Sequence, residues 1–111
     1  MLDDLDDQAL DALPYGVICL DENLRVARMN RTECERTGIQ RWRALGRPYF
    51  GDVAAGDRNR VLAESVAAFA QGRASARTFD HVFPRRKGAD ATHIELQQGR
   101  QRRVYLCIRR D

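Results

Sequence analysis

The fold is decided by one short stretch of sequence, Asn30-Arg31-Thr32-Glu33-Cys34-Glu35-Arg36-Thr37-Gly38, together with Leu45-Gly46-Arg47 a few residues later. Asparagine is favoured at the start of a helix, because its side chain accepts a hydrogen bond from an unpaired backbone N–H. Glycine ends helices, since it adopts the left-handed backbone conformation at little cost. The stretch therefore predicts a short helix that ends at Gly38, and a second helical turn, about residues 41–45, that ends at Gly46.

Two strand-like segments precede this helix. Residues 15–20 and 24–29 are rich in apolar and β-branched side chains, and Asp21-Glu22-Asn23 between them supplies turn residues, so we predict a β-hairpin. Residues 1–13 place leucines three to five positions apart, which predicts an amphipathic helix that the following proline ends. We therefore divide the chain into an N-terminal helix, 1–13, and a folded domain, 14–111.

The second half of the chain continues with one longer helix and three strands. Residues 59–71 carry apolar side chains at helical spacing, and strands are predicted at 77–83, 91–98 and 102–109. This order of elements is α+β, and it favours one five-stranded antiparallel sheet with the short helices on one face. The residues expected on the inward face of the longer helix are Val61, Leu62, Ser65, Val66 and Phe69.

Composition bounds the class of protein. A chain of 111 residues supports a single domain, and 43% apolar with 32% charged residues is typical of a globular protein. No apolar run approaches the roughly 20 residues that a membrane helix needs. The first residues are acidic, whereas a signal peptide would begin with basic residues. We therefore expect a cytoplasmic protein that does not enter the membrane.

Charge is distributed unevenly along the chain. The formal net charge is +3, but residues 1–13 contain five aspartates and no basic residue, so the remainder carries +8. No helix-turn-helix motif or alternation of aromatic and basic residues accompanies the basic end, so nucleic-acid binding is not expected, and an acidic protein partner is the better alternative to solvated strand edges. The basic residues concerned are Arg85, Arg86, Lys87, Arg100, Arg102, Arg103, Arg109 and Arg110.

The residue types that carry most protein chemistry are scattered. Cys19, Cys34 and Cys107 are widely separated and odd in number, which predicts reduced thiols rather than disulfides or a zinc site. His81 and His93 fall on predicted strands and are expected to be ordinary sheet residues, so no metal site is predicted. No nucleophile, base and acid are spaced as catalysis requires, so we do not expect an enzyme or any catalytic residue.

The order of elements and three local motifs resemble PAS sensory domains, and among these most closely the photoactive yellow protein family. Because the motifs span the chain, the resemblance covers residues 10–110. It implies a signalling module of bacterial type, with a pocket between the helices and the sheet and an effector domain or partner protein that receives the output. The motifs are Leu10-Asp11-Ala12-Leu13-Pro14-Tyr15-Gly16, Pro48-Tyr49-Phe50-Gly51-Asp52-Val53-Ala54 and the last strand, 104–110.

The resemblance also implies which residues surround the pocket. Two positions that bind the chromophore in that family read Met29 and Glu33 here, and a nearby threonine is kept as Thr37. The family attaches its chromophore to a cysteine just after the Asp-Val-Ala segment, where this chain has Gly56. Since a thioester needs a thiol, no covalent p-coumaric acid is expected. Cys34 is the only thiol expected near the pocket.

Two roles compete for Glu33. It lies three residues after Asn30, so its side chain could accept a hydrogen bond from the backbone of Asn30 and close a capping box. As the counterpart of the family's buried carboxyl group it would instead point into the pocket, where the loss of hydration would raise its pKa. The sequence slightly favours the capping role and leaves the binding role open.

Other cofactors are not expected either. Haem-binding PAS relatives place a histidine on the long helix, where residues 59–71 contain none, and flavin-binding relatives use an Asn-Cys-Arg-Phe-Leu-Gln motif that the surroundings of Cys34 do not match. Phe79 and Phe83, together with Met29, can fill the pocket volume. This favours a module that acts by protein–protein interaction, and the alternative is a sensor of a small apolar ligand.

The leucines of the N-terminal helix predict self-association. Burying apolar surface stabilises a protein by roughly 25 cal/mol per Å², so an exposed leucine stripe should be covered. The cover is either the outer face of the sheet or the same helix of a second chain, and the resemblance favours the second, an isologous homodimer. The leucines concerned are Leu2, Leu5, Leu10 and Leu13.

Overall fold

Five antiparallel strands form one sheet, in the spatial order β2-β1-β5-β4-β3. The computed structural model describes residues 1–73, 77–85 and 88–110. The first and last strands of the chain lie side by side at the centre of the sheet, so its middle is closed by contacts of long sequence separation. The strands are β1 (Gly16–Leu20), β2 (Val26–Met29), β3 (Thr78–Pro84), β4 (Ala89–Gln98) and β5 (Val104–Arg110).

Short helices connect the hairpin β1–β2 to the last three strands and cover one face of the sheet. This agrees with the predicted α+β arrangement. Among the described residues, no helix is both long enough and apolar enough to cross a membrane. The helices are α2 (Arg31–Thr37), α3 (Arg41–Ala44) and α4 (Arg60–Ala70), with a π-helical turn over Tyr49–Val53 and a 3₁₀ turn over Asp57–Asn59.

The main core lies between this helical layer and the inner face of the sheet. From α4 it receives Leu62 and Val66, both fully buried, whereas Val61 is 68% exposed. The prediction that Val61 belongs to the inward face is therefore wrong. Val61 precedes Leu62 by one residue, so the helix turns it about 100° away from the core. The sheet contributes Ile18, Leu20, Ile94, Leu96, Leu106 and Ile108.

The N-terminal segment is not the single helix predicted over residues 1–13. A 3₁₀ turn covers Leu2–Asp4, Leu5 is extended, and helix α1 (Asp7–Asp11) begins afterwards. The break arises because the carboxylate of Asp6 accepts a hydrogen bond from the backbone N–H of Ala9 at 2.8 Å and starts a new helix there.

The leucines of this segment pack on the outer face of the chain's own sheet. Leu2 and Leu10 are buried, and Leu5 and Leu13 are half-buried against the same cluster. The leucines are therefore buried by the chain's own sheet, which is the first of the two alternatives that the sequence left open. A homodimer stays a prediction, but the need to bury these leucines no longer supports it. The sheet residues beneath the segment are Val17, Cys19, Tyr105 and Cys107.

Polar contacts hold the segment on the sheet. The carboxylate of Asp3 accepts a hydrogen bond from the hydroxyl of Tyr105 at 2.7 Å and another from the backbone N–H of Arg100 at 2.6 Å. The guanidinium of Arg28 donates to the carbonyls of Leu2 and Leu5 at 3.2 and 2.6 Å. Leu5, one of the two acceptors, directly follows a short helical turn, where carbonyl groups lack partners within the helix.

The connection between β3 and β4 carries part of the predicted basic run. The backbone N–H of Arg85 donates to the carbonyl of Gly88 at 3.1 Å, which brings the two ends of the connection together. Arg86 and Lys87 lie outside the described residues.

Asn30 caps α2, as predicted, and does more than a cap. Its side-chain oxygen accepts hydrogen bonds from the backbone N–H groups of Glu33 at 3.0 Å and Val17 at 2.9 Å. Its amide nitrogen donates to the carbonyls of Leu10 and Tyr15 at 2.9 and 3.0 Å. The side chain is fully buried. One residue thus joins α1, β1 and α2.

We expect Asn30→Ala to lower the free energy of unfolding by about 3 kcal/mol. A lost helix cap costs about 1 kcal/mol, and the backbone groups left buried without partners add about 1–3 kcal/mol. Urea denaturation measures the change. Asn23→Ala, in the exposed hairpin turn, is the matched control and should change stability by less than about 0.5 kcal/mol. A loss below about 1 kcal/mol for Asn30→Ala would contradict the joining role.

Candidate functional site

A buried network of charges lies at the inner face of α2. Glu33 and Arg36 are one turn apart, so both point towards the sheet. The guanidinium of Arg36 donates two hydrogen bonds to the carboxylate of Glu33, at 2.7 and 2.5 Å, and a third to Asp90 of β4 at 2.7 Å. Arg110 of β5 contacts the other oxygen of Asp90 at 3.2 Å. Two acids and two bases therefore balance in charge.

The capping box predicted for Glu33 does not form. The backbone N–H of Asn30 donates to the carbonyl of Val17 at 3.0 Å, so no donor is left for the Glu33 side chain. Glu33 turns inward and is fully buried, with its carboxylate against Gly16 of β1. A Cβ atom at position 16 would overlap a carboxylate oxygen of Glu33. Glycine at position 16 is therefore what makes room for this carboxylate.

Burial and pairing act on these charges in opposite directions. The loss of hydration raises the pKa of Glu33, and the hydrogen bonds and positive charge of Arg36 oppose that rise. Burial alone would lower the pKa of Arg36, but the hydrogen bonds and charge of Glu33 and the hydrogen bond to Asp90 more than compensate and raise it. Arg36 therefore stays charged. Removing one partner of a buried ion pair strongly destabilises a protein, because the other charge is left buried and uncompensated.

The network continues through aromatic contacts to β3. The guanidinium of Arg36 lies 4.3 Å from the ring centre of Phe83, within the range of a cation–π contact. Phe83 packs edge-to-face against His81, and the Nε2 of His81 lies 2.8 Å from the side-chain oxygen of Asn59. Burial, together with the positive charge of Arg36, lowers the pKa of His81, so its imidazole is neutral at pH 7. The contact with Asn59 assigns the proton to Nε2.

A cavity of about 360 Å³ adjoins this network. Tyr49 lines it and is 1% exposed, and its hydroxyl makes no hydrogen bond with any of residues 1–73, 77–85 and 88–110. Burial and the charge of Glu33 raise the pKa of Tyr49, so the hydroxyl stays protonated and can donate. The volume is within the range of small-molecule sites. The other lining residues are Arg36, Thr37, Ile39, Val53, Ala54, Ala55, Asn59, Phe83, Pro84 and Arg85.

The predicted pocket residues are only partly brought together. Thr37 and Phe83 line the cavity, and Glu33 lies behind Arg36 as its ion-pair partner. Met29 is buried in the main core, and Phe79 packs against that core, so neither lines the cavity.

The sequence analysis did not assign four residues to the site: Arg36, Tyr49, Asn59 and Asp90. The spacing of Glu33 and Arg36, three apart on a predicted helix, could have revealed their ion pair. Tyr49 and Asn59 reach the cavity from a single π-helical turn and a single 3₁₀ turn, which are too short for a periodic pattern to predict the direction of a side chain.

Gly56 lies in the loop at the edge of the cavity. It directly follows Ala54 and Ala55, which line the cavity, and it has φ of 104°. An L-residue adopts this conformation only with strain. Cys34, expected near the pocket, instead lines a separate surface groove. The described part of the chain holds no cluster of three or more potential metal ligands, and all three cysteines are free.

Most of the described basic residues are engaged by the chain itself. Arg110 pairs with Asp90, Arg100 pairs with Asp4, and Arg109 stacks on the ring of Tyr15 at 4.0 Å. These contacts favour the interpretation that the positive charge belongs to solvated strand ends. They do not favour a dedicated binding patch.

The sheet order, the helical layer and the cavity between them define a sensory domain fold. The family model described as PAS fold matches residues 4–109, and the chain belongs to this family. This confirms the resemblance drawn from the sequence, including its closer likeness to photoactive yellow protein.

Solved structures that the chain resembles include PAS domains of a sensor histidine kinase and of a quorum-sensing receptor. The photoactive yellow protein domain of the sensor histidine kinase Ppr from Rhodospirillum centenum is 28% identical, with a TM-score of 0.83 over 97% of this chain and 96% of that one. The PAS domain of the RpfR quorum-sensing receptor from Cronobacter turicensis, in complex with C12:0, is 16% identical, with a TM-score of 0.74 over 88% and 94% of the two chains. The PAS domain of HTR-like protein from Haloarcula marismortui is 19% identical, with a TM-score of 0.69 over 95% and 88%. Comparison with curated protein sequences gave no match.

We expect Gly16→Ala to destabilise the fold by about 2 kcal/mol, because the added methyl group forces the Glu33 carboxylate out of its place. Thermal or urea unfolding of Gly16→Ala, Glu33→Ala and the double variant forms a cycle that isolates the contact. Gly16→Ala should cost much less in the Glu33→Ala background. Equal costs in both backgrounds would show that position 16 demands glycine for another reason.

We expect no coloured covalent adduct after treatment of the purified chain with activated p-coumaric acid, because position 56 has no thiol. The measurement is a visible absorption spectrum before and after denaturation, with the intact mass as a second readout. A visible band that survives denaturation would contradict this expectation. Cys34→Ser would then show whether that half-buried thiol carries the adduct.

Proposed function

We propose that this chain is a PAS sensory module that binds a small molecule without a covalent bond and passes the signal to another protein. The observation that carries the proposal is the side chain of Tyr49, which lines the cavity and whose hydroxyl makes no hydrogen bond with another described residue. A hydroxyl in this position can donate a hydrogen bond into the cavity, and a ligand with an acceptor oxygen would accept it.

The cavity supports a ligand of modest size and mixed polarity. Ile39, Val53 and Phe83 offer apolar contact, and Thr37 and Asn59 offer polar groups. Although Met29 and Phe79 were expected to fill this volume, both belong to the core beside it. Their position supports the ligand-sensing alternative over an empty module.

Covalent chromophore chemistry does not fit this chain. Gly56 offers no thiol, and a cysteine introduced there would have to adopt a strained backbone conformation. The likeness to a photoactive yellow protein domain therefore supports a shared architecture with a different signal. Haem and flavin also stay unexpected, because the described residues offer no histidine on α4 and no matching cysteine motif.

The second candidate is a module that acts only through protein–protein contact, including dimerisation. It is favoured by Trp42, which is 70% exposed on the surface formed by α2 and α3. Several expectations from the sequence stay predictions. They are a bacterial origin, a cytoplasmic location, an effector or partner protein, and the absence of enzymatic activity and of nucleic-acid binding.

Native and denaturing mass spectrometry of the chain, purified from bacterial cells, test the ligand proposal. We expect a mass excess that is present under native conditions and lost on denaturation. Tyr49→Phe removes only the hydroxyl and should raise the dissociation constant of the retained molecule at least tenfold, equivalent to about 1.4 kcal/mol, and so lower the retained fraction.

Tyr15→Phe is the matched control, because Tyr15 lies away from the cavity and should retain the excess. Ala55→Phe fills the cavity from its rim and should abolish retention. The absence of any excess mass, or its presence in Ala55→Phe, would remove the cavity as the site and leave the interaction module.

A further inference from the structure

The cavity beside α2 carries positive charge that its own lining does not balance. Among the described residues that line it, two are arginines, Arg36 and Arg85, and none is acidic. The charge of Arg36 is already matched, because its network with Glu33, Asp90 and Arg110 holds two acids and two bases. Arg85 adds one further positive charge to the lining.

Arg85 has no acidic partner in the part of the chain that the structure describes. Its guanidinium donates instead to the backbone carbonyl of Arg36, at 3.3 Å. Asp52, in the π-helical turn that also contains Tyr49, pairs with Arg47 at 3.0 Å and does not line the cavity. The lining therefore keeps an excess of one positive charge.

The end of α2 does not depend on Arg85. The carbonyl of Arg36 lies in the last turn of the helix, where carbonyl groups lack partners within the helix. The guanidinium of Arg110 also donates to this carbonyl, at 3.4 Å, so the carbonyl keeps a donor when Arg85 is removed. Arg85 is exposed and lines the cavity, which places it at the mouth. Since a guanidinium has five N–H donors, it can bind a further group there.

The other polar side chains of the lining are already bonded within the chain. The hydroxyl of Thr37 donates to a backbone carbonyl of α2 at 3.0 Å. The side-chain oxygen of Asn59 lies 2.8 Å from the Nε2 of His81, and its nitrogen donates to a backbone carbonyl of the preceding loop at 3.3 Å. The groups that make the fewest bonds within the described chain are therefore donors, the hydroxyl of Tyr49 and the guanidinium of Arg85.

Charge and donors together define the class of molecule that fits. One uncompensated positive charge matches a monoanion, and a guanidinium binds a carboxylate through two parallel hydrogen bonds. An anionic group at the mouth keeps part of its hydration, so it avoids the full cost of burying a charge. The apolar side chains of Ile39, Val53 and Phe83 are left to contact the rest of the molecule.

We propose that the cavity binds a small organic carboxylate, with its negative group against Arg85 and its apolar body inside the cavity. Arg85 then determines specificity, because it selects an anion over a neutral molecule of the same shape. This inference rests on the proposed function, since it names the class of ligand for the same cavity. It fails alone if the bound molecule is neutral.

Calorimetric titration with two matched probes tests the inference. Benzoylpropionate has a carboxylate, an apolar ring and a keto oxygen that can accept from Tyr49, and its primary amide replaces only the charged group. We expect the intact chain to bind the carboxylate at least about tenfold more tightly than the amide, as a charge-assisted hydrogen bond provides. Arg85→Gln should abolish this preference by weakening the carboxylate alone. Arg85→Lys keeps the charge and should retain most of the preference.

Arg43→Gln is the matched control. It removes the same charge from α3, at a residue that does not line the cavity, and should leave both affinities unchanged. Thermal unfolding of Arg85→Gln should stay close to that of the intact chain, because Arg110 still donates to the end of α2.

The molecule retained by the chain from bacterial cells provides a second measurement. Released by denaturation, it should bind to an anion-exchange column and give a negative ion in mass spectrometry. Arg85→Gln should retain much less of it than Arg43→Gln. This result supports the inference whether or not the two probes fit the cavity.

Three outcomes would overturn the inference and leave the proposed function standing. They are equal affinity for the two probes, an Arg85→Gln variant that weakens both probes alike, and a retained molecule that is neutral. In each of these cases the cavity still binds a small molecule. A chain that retains nothing and binds neither probe would overturn both proposals.

Discussion

The structure depends on four hydrogen bonds made by one buried amide. Asn30 satisfies two backbone N–H groups and two carbonyls, and these belong to α1, to the entry and first residues of β1, and to α2. No aliphatic side chain could replace it, because each of these backbone groups would then be buried without a partner. The amide therefore fixes the acidic segment, the central strand and the helix of the charge network relative to one another.

The position of α2 determines where charge is buried. With the helix fixed, Glu33 and Arg36 face the sheet and meet Asp90 from β4. Such networks add little net stability compared with well-packed apolar residues, but they demand one geometry. Here that geometry sets the wall of the cavity, because Arg36 also holds the ring of Phe83. Tyr49 lies beside the same network, but no hydrogen bond joins its hydroxyl to Glu33, Arg36 or Asp90.

Much of this architecture is predictable from the sequence, for local reasons. The hairpin, the cap at Asn30 and the glycine stop at Gly38 are encoded within a few residues, and the order of elements follows from periodicity. The break at Leu5 was missed because a leucine stripe is compatible with a continuous helix, and only the capping carboxylate of Asp6 interrupts it. Glu33 was assigned to the cap because the sequence does not show that the backbone N–H of Asn30 already donates to the carbonyl of Val17.

The close approach of Glu33 to Gly16 links two positions that are seventeen residues apart in the chain. In any relative with the same backbone, a side chain at the first position and a glutamate at the second compete for one volume. Sequences of the family should therefore show the two positions changing together, with glutamate restricted to chains that keep glycine. Where another residue replaces that glycine, a shorter or uncharged side chain should stand on the helix, and the arginine one turn later should lose its reason to be buried.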